Sequence, residues 1–282
     1  MEKLNKSRTQ TFIASLISGS IVVIAFFSMF IEPMGAFGLF IIGTFAVGFT
    51  TSTFLKQYKK EYKSYIVSDV LNKLFDVECY NPTEGFSKDF VSSTHLIPVG
   101  NRYTSDDYVK AKYKGIEFER SDVCMQNVQS TGKSTTTVTY FQGSWSIFPF
   151  NKNISTFLTV KEKQFLSNSK PGGLFTDAPK TTKVLFEDID FNEKFVVFAE
   201  NEHDAFYVLT PHFIEKIKEI EPKFEGRLIL GFVDHKLHVL LYNYKNILEP
   251  SLSKNITEQD YLKIENDLQE VIDIMKAFEL IE

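Results

Sequence analysis

Between Arg8 and Glu32 the chain carries no Asp, Glu, Lys, Arg or His. Inside that gap, Thr11–Ile31 reads TFIASLISGSIVVIAFFSMFI. A helix needs about 20 mostly apolar residues to cross a hydrocarbon core about 30 Å thick, and only a helix or a closed barrel satisfies its own backbone there. A second uncharged run, Met34–Leu55, begins after only Glu32 and Pro33. A charge beside a helix breaker marks a turn in the membrane interface. The expectation is a transmembrane helical hairpin over residues 1–55, with spans about 11–31 and 34–55. A cleaved signal peptide is the competing reading of the first run. Its apolar region is about 7–15 residues and ends at small residues. This run is longer, ends in Phe30 and Ile31, and leads at once into another apolar stretch.

The flanking charges orient the hairpin. Lys3, Lys6 and Arg8 precede it; Lys56, Lys59, Lys60 and Lys63 follow it; the turn holds Glu32 and no base. Basic residues stay on the cytoplasmic side, so both termini and the main domain are expected in the cytoplasm, at the inner membrane. Residues 1–63 hold seven basic and three acidic side chains, a net +4; the whole chain is −5, which leaves −9 on residues 64–282. So acidic a domain is repelled by phosphate backbones, and nucleic acid is excluded as a partner class. In the cytoplasm the sequons Asn153-Ile154-Ser155 and Asn255-Ile256-Thr257 carry no meaning. Two cysteines, Cys79 and Cys124, make no disulfide framework.

Small residues suggest how the spans meet. Ser15 and Gly19 are i,i+4 neighbours in the first, and Thr44 and Gly48 in the second. A turn at 32–33 brings 19 near 46 and 15 near 50, so these faces are expected to pack closely. The plainer reading is that glycine is common in membrane helices. A homo-oligomer built through the hairpin is a further reading.

Residues 56–76 continue as a stalk helix. Lys56, Lys59, Lys60 and Lys63 share one face, free for headgroups or water. Leu55, Tyr58, Tyr62, Tyr65 and Ile66 form an apolar stripe beside it, expected to pack on the domain. Over 77–282 the period changes. Asp107–Tyr113 and Ile116–Val123 read as a hairpin across Lys114-Gly115. Thr135–Tyr140, Ser144–Phe148, Ser155–Val160 and Phe195–Phe198 read as strands, and Leu228–Val233 with Leu237–Leu241 as a second hairpin. Residues 165–182 are a Gly/Pro/Ser-rich loop, and Asp188–Phe191 and Asp204–Tyr207 are helical turns. Thr210 caps a helix opening at Pro211, and Glu258–Leu280 is the last helix. Grouped strands with helices at the ends give an α+β class: a mixed, mainly antiparallel β domain with flanking helices.

Several segments together resemble a known family: the hairpin with YKKEYKSYIVSDVL (58–71), SDDYVKAKYKGIEFERSDV (105–123), FQGSWSIFPFNKNISTFLTV (141–160), LFEDIDFNEKFVVFAENEHDAFYVLTPHFIEKI (185–217) and LGFVDHKLHVLL (230–241). They are similar to the bacterial membrane proteins grouped as domain of unknown function 3137, over nearly the whole chain. The resemblance implies a membrane location and no assigned activity. It also implies a small LemA-type membrane protein as a partner. At 203–206 this chain has His-Asp-Ala-Phe where the family more often has an acidic residue and Ala-Arg, so no role resting on that arginine carries over.

No constellation points to an enzyme or a cofactor. Ser130-Thr131-Gly132-Lys133-Ser134-Thr135 resembles a phosphate loop, but position 127 is Asn and TTTVT follows as strand instead of helix; it reads as a hairpin loop. His203, His212, His235 and His238 lack metal-site spacing, and Ser144-Trp145-Ser146 sits in no nucleophile elbow. The acidic run Asp188, Asp190, Glu193, Glu200, Glu202 and Asp204 reads first as caps and solvated turns around buried Phe191, Phe195 and Phe198. Its enzymatic alternative is a membrane-associated hydrolase in which Asp188, Asp190, Glu200 and Asp204 converge to hold a cation or move protons. The leading expectation is a non-catalytic binding or assembly module, without metal or cofactor.

Overall fold

The computed structural model describes all residues except 1, 29, 31–32, 133, 153–155, 167–178, 245–247 and 281–282, and in 33–50 the side chains of 33–39, 42–43, 46 and 50 stay undescribed. Half of the expected Glu32-Pro33 turn, the 153–155 sequon and most of the 165–182 loop therefore lie outside the described residues. The chain divides into two compact units: Met1–Val70 with Leu248–Glu265, and Leu71–Ile247 with Asn266–Glu282.

The first unit holds α1 (Glu2–Ser28) and α2 (Pro33–Tyr62), which runs on through a π-helical segment, Lys63–Val67, into α3 (Ser68–Leu74). The stalk is thus helical, with one wide turn in it. Among the described residues α1 is long and apolar enough to cross a membrane: its most apolar stretch has a mean hydropathy of 2.1 and is 11% buried. α1 and α2 run antiparallel. The Thr11 hydroxyl donates to the Phe54 carbonyl at 3.3 Å, and the Thr51 hydroxyl to that of Ser18 at 3.4 Å. The expected meeting of Ser15 and Gly19 with Thr44 and Gly48 would set 19 near 46 and 15 near 50, positions whose side chains lie outside the described residues. A Cβ built at Gly19 or Gly48 meets nothing within 4 Å. One hydroxyl pair and one hydroxyl–carbonyl bond link the helices, and Gly19 stands about 100° round the helix from Ser18.

Residues 248–257 form a strap within the same unit. Tyr58 donates its hydroxyl to the Ser251 carbonyl at 3.1 Å, and Arg8 donates to the Leu252 carbonyl at 3.3 Å. The Asn5 amide exchanges hydrogen bonds with the backbone of Ile256 at 3.2 and 2.8 Å. Glu249 receives Lys59 at 2.6 Å and Lys63 at 2.9 Å. Burial works against the Glu249 charge, but the two ammonium groups outweigh it and hold its carboxyl below the ordinary range. The four-lysine face therefore does not stand free as a whole: Lys63 is 3% exposed. In the apolar stripe Tyr58, Tyr62 and Ile66 are buried, while Tyr65 is exposed under the Lys3 ammonium.

The second unit is built on a nine-stranded, wholly antiparallel sheet of order β1-β2-β3-β4-β9-β8-β5-β7-β6. The strands are β1 (Asp76–Asn81), β2 (Arg102–Tyr113), β3 (Ile116–Ser130), β4 (Thr135–Pro149), β5 (Leu158–Glu162), β6 (Thr182–Val184), β7 (Phe195–Ala199), β8 (Arg227–Val233) and β9 (Lys236–Tyr242). The helices are α4 (Lys88–Ser93), α5 (Lys163–Leu166), α6 (Ile189–Lys194), α7 (Glu202–Val208), α8 (Pro211–Ile220) and α9 (Glu258–Ala277), the last shared with the first unit. The two strands read at Thr135–Tyr140 and Ser144–Phe148 are one strand, β4. Lys114 (φ 49°) and Gly115 (φ 84°) make the β2–β3 turn, and Asp234 and His235 (φ 49° and 59°) the β8–β9 turn. Two consecutive positive φ angles give the turn whose twist matches that of paired strands. Thr210 accepts from the Phe213 N–H and opens α8 as expected. In α9, Ile264, Leu268, Val271, Ile272 and Met275 are buried as its spacing requires, whereas Leu262 is 57% exposed.

Alternation sorts the sheet's side chains into two cores. On one face Val123, Met125, Trp145, Ile229 and Leu240 pack with Phe86, Val91, Leu96 and Ile97 from the segment before β2. On the other, Phe118 and Phe148 stack, Phe75 meets Phe118 at 4.9 Å, and Phe213 of α8 lies between Phe232 and Phe278.

Candidate functional site

The second face changes character along β3. Phe118 is followed two residues later by Arg120, then by Asp122, and these are 2% and 4% exposed. Their cross-strand partners in β4 are Ser146 and Ser144, both buried. Four polar positions thus occupy a stripe that alternation reserves for apolar side chains. Arg120 donates to Asp122 at 2.8 Å. Burial opposes the guanidinium charge, but Asp122, then Glu270 of α9 and Asp107, outweigh it and secure it. Tyr80 of β1 donates to the Asp107 carboxylate at 2.8 Å, and burial followed by that carboxylate pushes its phenol far up.

Asp107 is fully buried and has a φ of 55°. The strand pairing slips between Asp106 and Val109, so the left-handed residue sits in a β-bulge. Such backbone costs about 1–3 kcal/mol and concentrates at functional sites.

Past Asp122 the polar stripe opens into a cleft of about 540 Å³ on β2, β3 and β4. Its wall includes Thr104, Ser105, Asp106, Asp122, Cys124 and Gln142. Thr104 pairs with Cys124, Cys124 with Gln142, and Asp106 with Asp122 across the strands, so one sheet face supplies these five groups. Burial pushes the Cys124 thiol up, which keeps it protonated. The cleft therefore offers hydroxyls, an amide and carboxylates to hydrogen-bond a polar ligand. The residues lining it include no histidine to activate a nucleophile.

Among the described residues the carboxylates of 188–204 do not gather as the hydrolase alternative would need. Asp188 caps α6, accepting from the Phe191 N–H at 2.8 Å and from Lys218 at 2.9 Å. Lys218, then that N–H, hold it below the ordinary carboxylate range. Asp190 is exposed on α6. Glu200 accepts from the Phe157 N–H at 2.8 Å, and Asp204 from the Thr156 hydroxyl. These acids satisfy separate backbone ends and side chains, and among the described residues they make no group with atoms within 4.8 Å of one another. The histidines are equally scattered. His203 is exposed, His212 meets Glu279 at 2.7 Å and His235 lies in the β8–β9 turn. His238 is buried, accepts from the Trp145 indole at 3.1 Å, and is lowered to about 3 by burial, so it is a neutral core residue. The phosphate-loop look-alike is the β3–β4 turn, closed by Thr131 N–H to the Ser134 carbonyl at 3.0 Å; Lys133 lies outside the described residues.

Sequence reasoning passed over Arg120, Asp122 and Asp107. The available signal was charge at Arg120 and Asp122, two and four residues after Phe118 and so in register with apolar Ile116 and Phe118.

A family profile bears on the chain as well. The profile described as "Protein of unknown function (DUF3137)" matches residues 139–280. The chain belongs to this family. The match takes in the segments at 141–160, 185–217 and 230–241 with Ser144 and Ser146, while 58–71 and 105–123, with Arg120 and Asp122, lie before it. No curated protein matches. Among solved structures, the crystal structure of the mycobacterial trehalose monomycolate transport factor A, TtfA, is 11% identical with a TM-score of 0.37, over 78% of this chain and 94% of that one. A likeness of that size carries no argument about function.

Proposed function

We propose that this chain is an integral membrane protein whose first two helices are a hairpin anchor and whose sheet unit is a cytoplasmic, non-catalytic binding module. The observation that carries the anchor is the outward display of apolar side chains. Leu16, Ile17, Ile24 and Phe27 on α1 are each more than half exposed, as are Phe45 and Phe49 on α2. In water such surface is opposed by about 25 cal/mol per Å²; in lipid it is solvated. The binding role rests on the cleft, whose volume falls within the roughly 300–1,000 Å³ of small-ligand sites. The hydrolase alternative has no support, because its four carboxylates stand apart.

Two experiments test this reading. Cys79 is exposed on the sheet unit. In a Cys124→Ser background, a membrane-impermeant maleimide should label Cys79 only after the cells are permeabilised. Labelling in intact cells would overturn the cytoplasmic placement. For the cleft, a photo-crosslinking amino acid at Gln142 should capture an occupant in native membranes, and the same group at exposed Glu219 of α8 should not. Equal capture at both positions would sink the cleft as a specific site. The LemA-type membrane protein and a second copy of this chain are the proposed protein occupants.

A further inference from the structure

The membrane-proximal cations are not equivalent, and their sorting points to a lipid-binding collar; this rests on the anchor proposed above. Of the four lysines on the stalk face, Lys59 and Lys63 are held by Glu249. Lys56 and Lys60, one helical turn apart, are exposed, as are Lys3 and Lys6 at the start of α1. Among the described residues no hydrogen bond or ion pair holds Lys6, Lys56 or Lys60.

The α1–α2 register places these groups on the same side of the apolar runs. Thr11 stands opposite Phe54, where both uncharged runs end. At 1.5 Å per residue, Lys56 lies about 3 Å beyond that level, Lys6 about 8 Å and Lys60 about 9 Å. Half the difference between a bilayer's full thickness, about 40–45 Å, and its hydrocarbon core, about 30 Å, leaves about 5–8 Å per headgroup layer. The lysines thus reach into and just past the phosphates of one leaflet. The opposite end of the hairpin has Glu32 and no base.

Their spacing is held in place. The strap ties Asn5 and Arg8 of α1 and Tyr58 of α2 to the same short segment. Burial pushes the Tyr58 phenol up to about 12, so it remains a donor to that strap. Glu249 ties up Lys59 and Lys63, one carboxylate against two ammonium groups, so it is Lys6, Lys56 and Lys60 that stand outward.

We propose that Lys6, Lys56 and Lys60, with Lys3 beside them, form a basic collar that binds the phosphate headgroups of anionic phospholipids in the cytoplasmic leaflet. Charge complementarity selects this occupant: a fixed group of exposed ammonium groups at phosphate depth, on an otherwise acidic chain. One lysine near an anionic surface favours it about five-fold.

The test uses the full chain reconstituted in phosphatidylcholine vesicles, with spin-labelled phosphatidylglycerol or spin-labelled phosphatidylcholine as probe. The wild-type chain should immobilise the phosphatidylglycerol probe at least about five-fold more than the phosphatidylcholine probe. In the triple variant Lys6→Gln, Lys56→Gln, Lys60→Gln that preference should fall to near unity. Inorganic phosphate in excess should leave the wild-type preference in place; efficient competition by it would assign the group to free phosphate and overturn the lipid site. Equal immobilisation of both probes by wild type, or an undiminished preference in the triple variant, would also overturn it. Carbonate extraction of the same vesicles separates the two proposals. A chain extracted from the bilayer refutes the anchor, and the collar with it. A chain that resists extraction yet shows no lipid preference refutes the collar alone.

Discussion

Asp122→Ala should destabilise the sheet unit by about 3 kcal/mol, because it leaves the Arg120 guanidinium buried without its closest counter-charge. Both side chains are nearly inaccessible, at 3% and 6%. A surface ion pair broken in the same way costs at most about 1 kcal/mol. The penalty here is one of desolvation: the remaining carboxylates that act on Arg120, Glu270 and Asp107, offset it only in part. The double variant Arg120→Met, Asp122→Leu replaces the pair with apolar side chains and should recover most of the loss, as buried pairs often permit. Urea unfolding followed by the fluorescence of Trp145 measures all three chains. If Asp122→Ala costs under about 1 kcal/mol, the stripe is hydrated and the pair is not a desolvated one. Recovery of stability together with loss of capture at Gln142 would further show that the charges serve the cleft and not the fold.

Gly143→Ala should cost at least about 3 kcal/mol and blunt cleft function at once, since an overpacked core site typically loses 1–3 kcal/mol and backbone cannot move aside as a side chain can. Gly143 lies in the cleft wall on β4. A Cβ there would stand 1.9 Å from the carbonyl oxygen of Leu241 on β9. That oxygen belongs to the strand that joins the two halves of the sheet, because β4 and β9 are neighbours in the strand order. The chain crosses there in a confined way: the N–H groups of Asn243 and Tyr244 both donate to the Gln142 carbonyl, at 3.3 and 3.0 Å. Gly115→Ala is a useful contrast. A Cβ at Gly115 meets nothing within 4 Å, so its cost is the positive φ alone, about 1 kcal/mol. Thermal melts of the two variants side by side would separate steric from conformational penalties; equal shifts would refute the close approach as the cause.

Local features of the chain were legible where the physics is local. The Lys114-Gly115 turn, the Thr210-Pro211 helix start and the helical stretch from Glu258 each depend on a few neighbouring residues, and each stands where its residues place it. The β3–β4 turn at Ser130–Thr135 was legible too, since β-branched Thr135–Thr139 cannot supply the helix a phosphate loop needs. Strand lengths were not. β4 runs unbroken through Phe141-Gln142-Gly143, between the two stretches that the sequence reads as separate strands. The acidic run at 188–204 suggested convergence only as long as distance along the chain stood in for distance in space. Once α6, β7 and α7 each take a separate place, the caps draw the carboxylates apart.

The hydrophobic run at the N-terminus and its flanking charges were determined by sequence alone, because absence of charge over about 20 consecutive residues is a property of one segment and needs no partner. Which faces of those helices meet, which lysines remain outside, and where a polar cleft opens were decided only by tertiary structure. Ser18 finds Thr51 and Glu249 finds Lys59 and Lys63 across long stretches of chain, and β4 finds β9 across the whole of β5 to β8. A charge such as Arg120 or Asp122 becomes a buried pair only when β4 pairs with the strand that carries it and Glu270 of α9 comes within its reach.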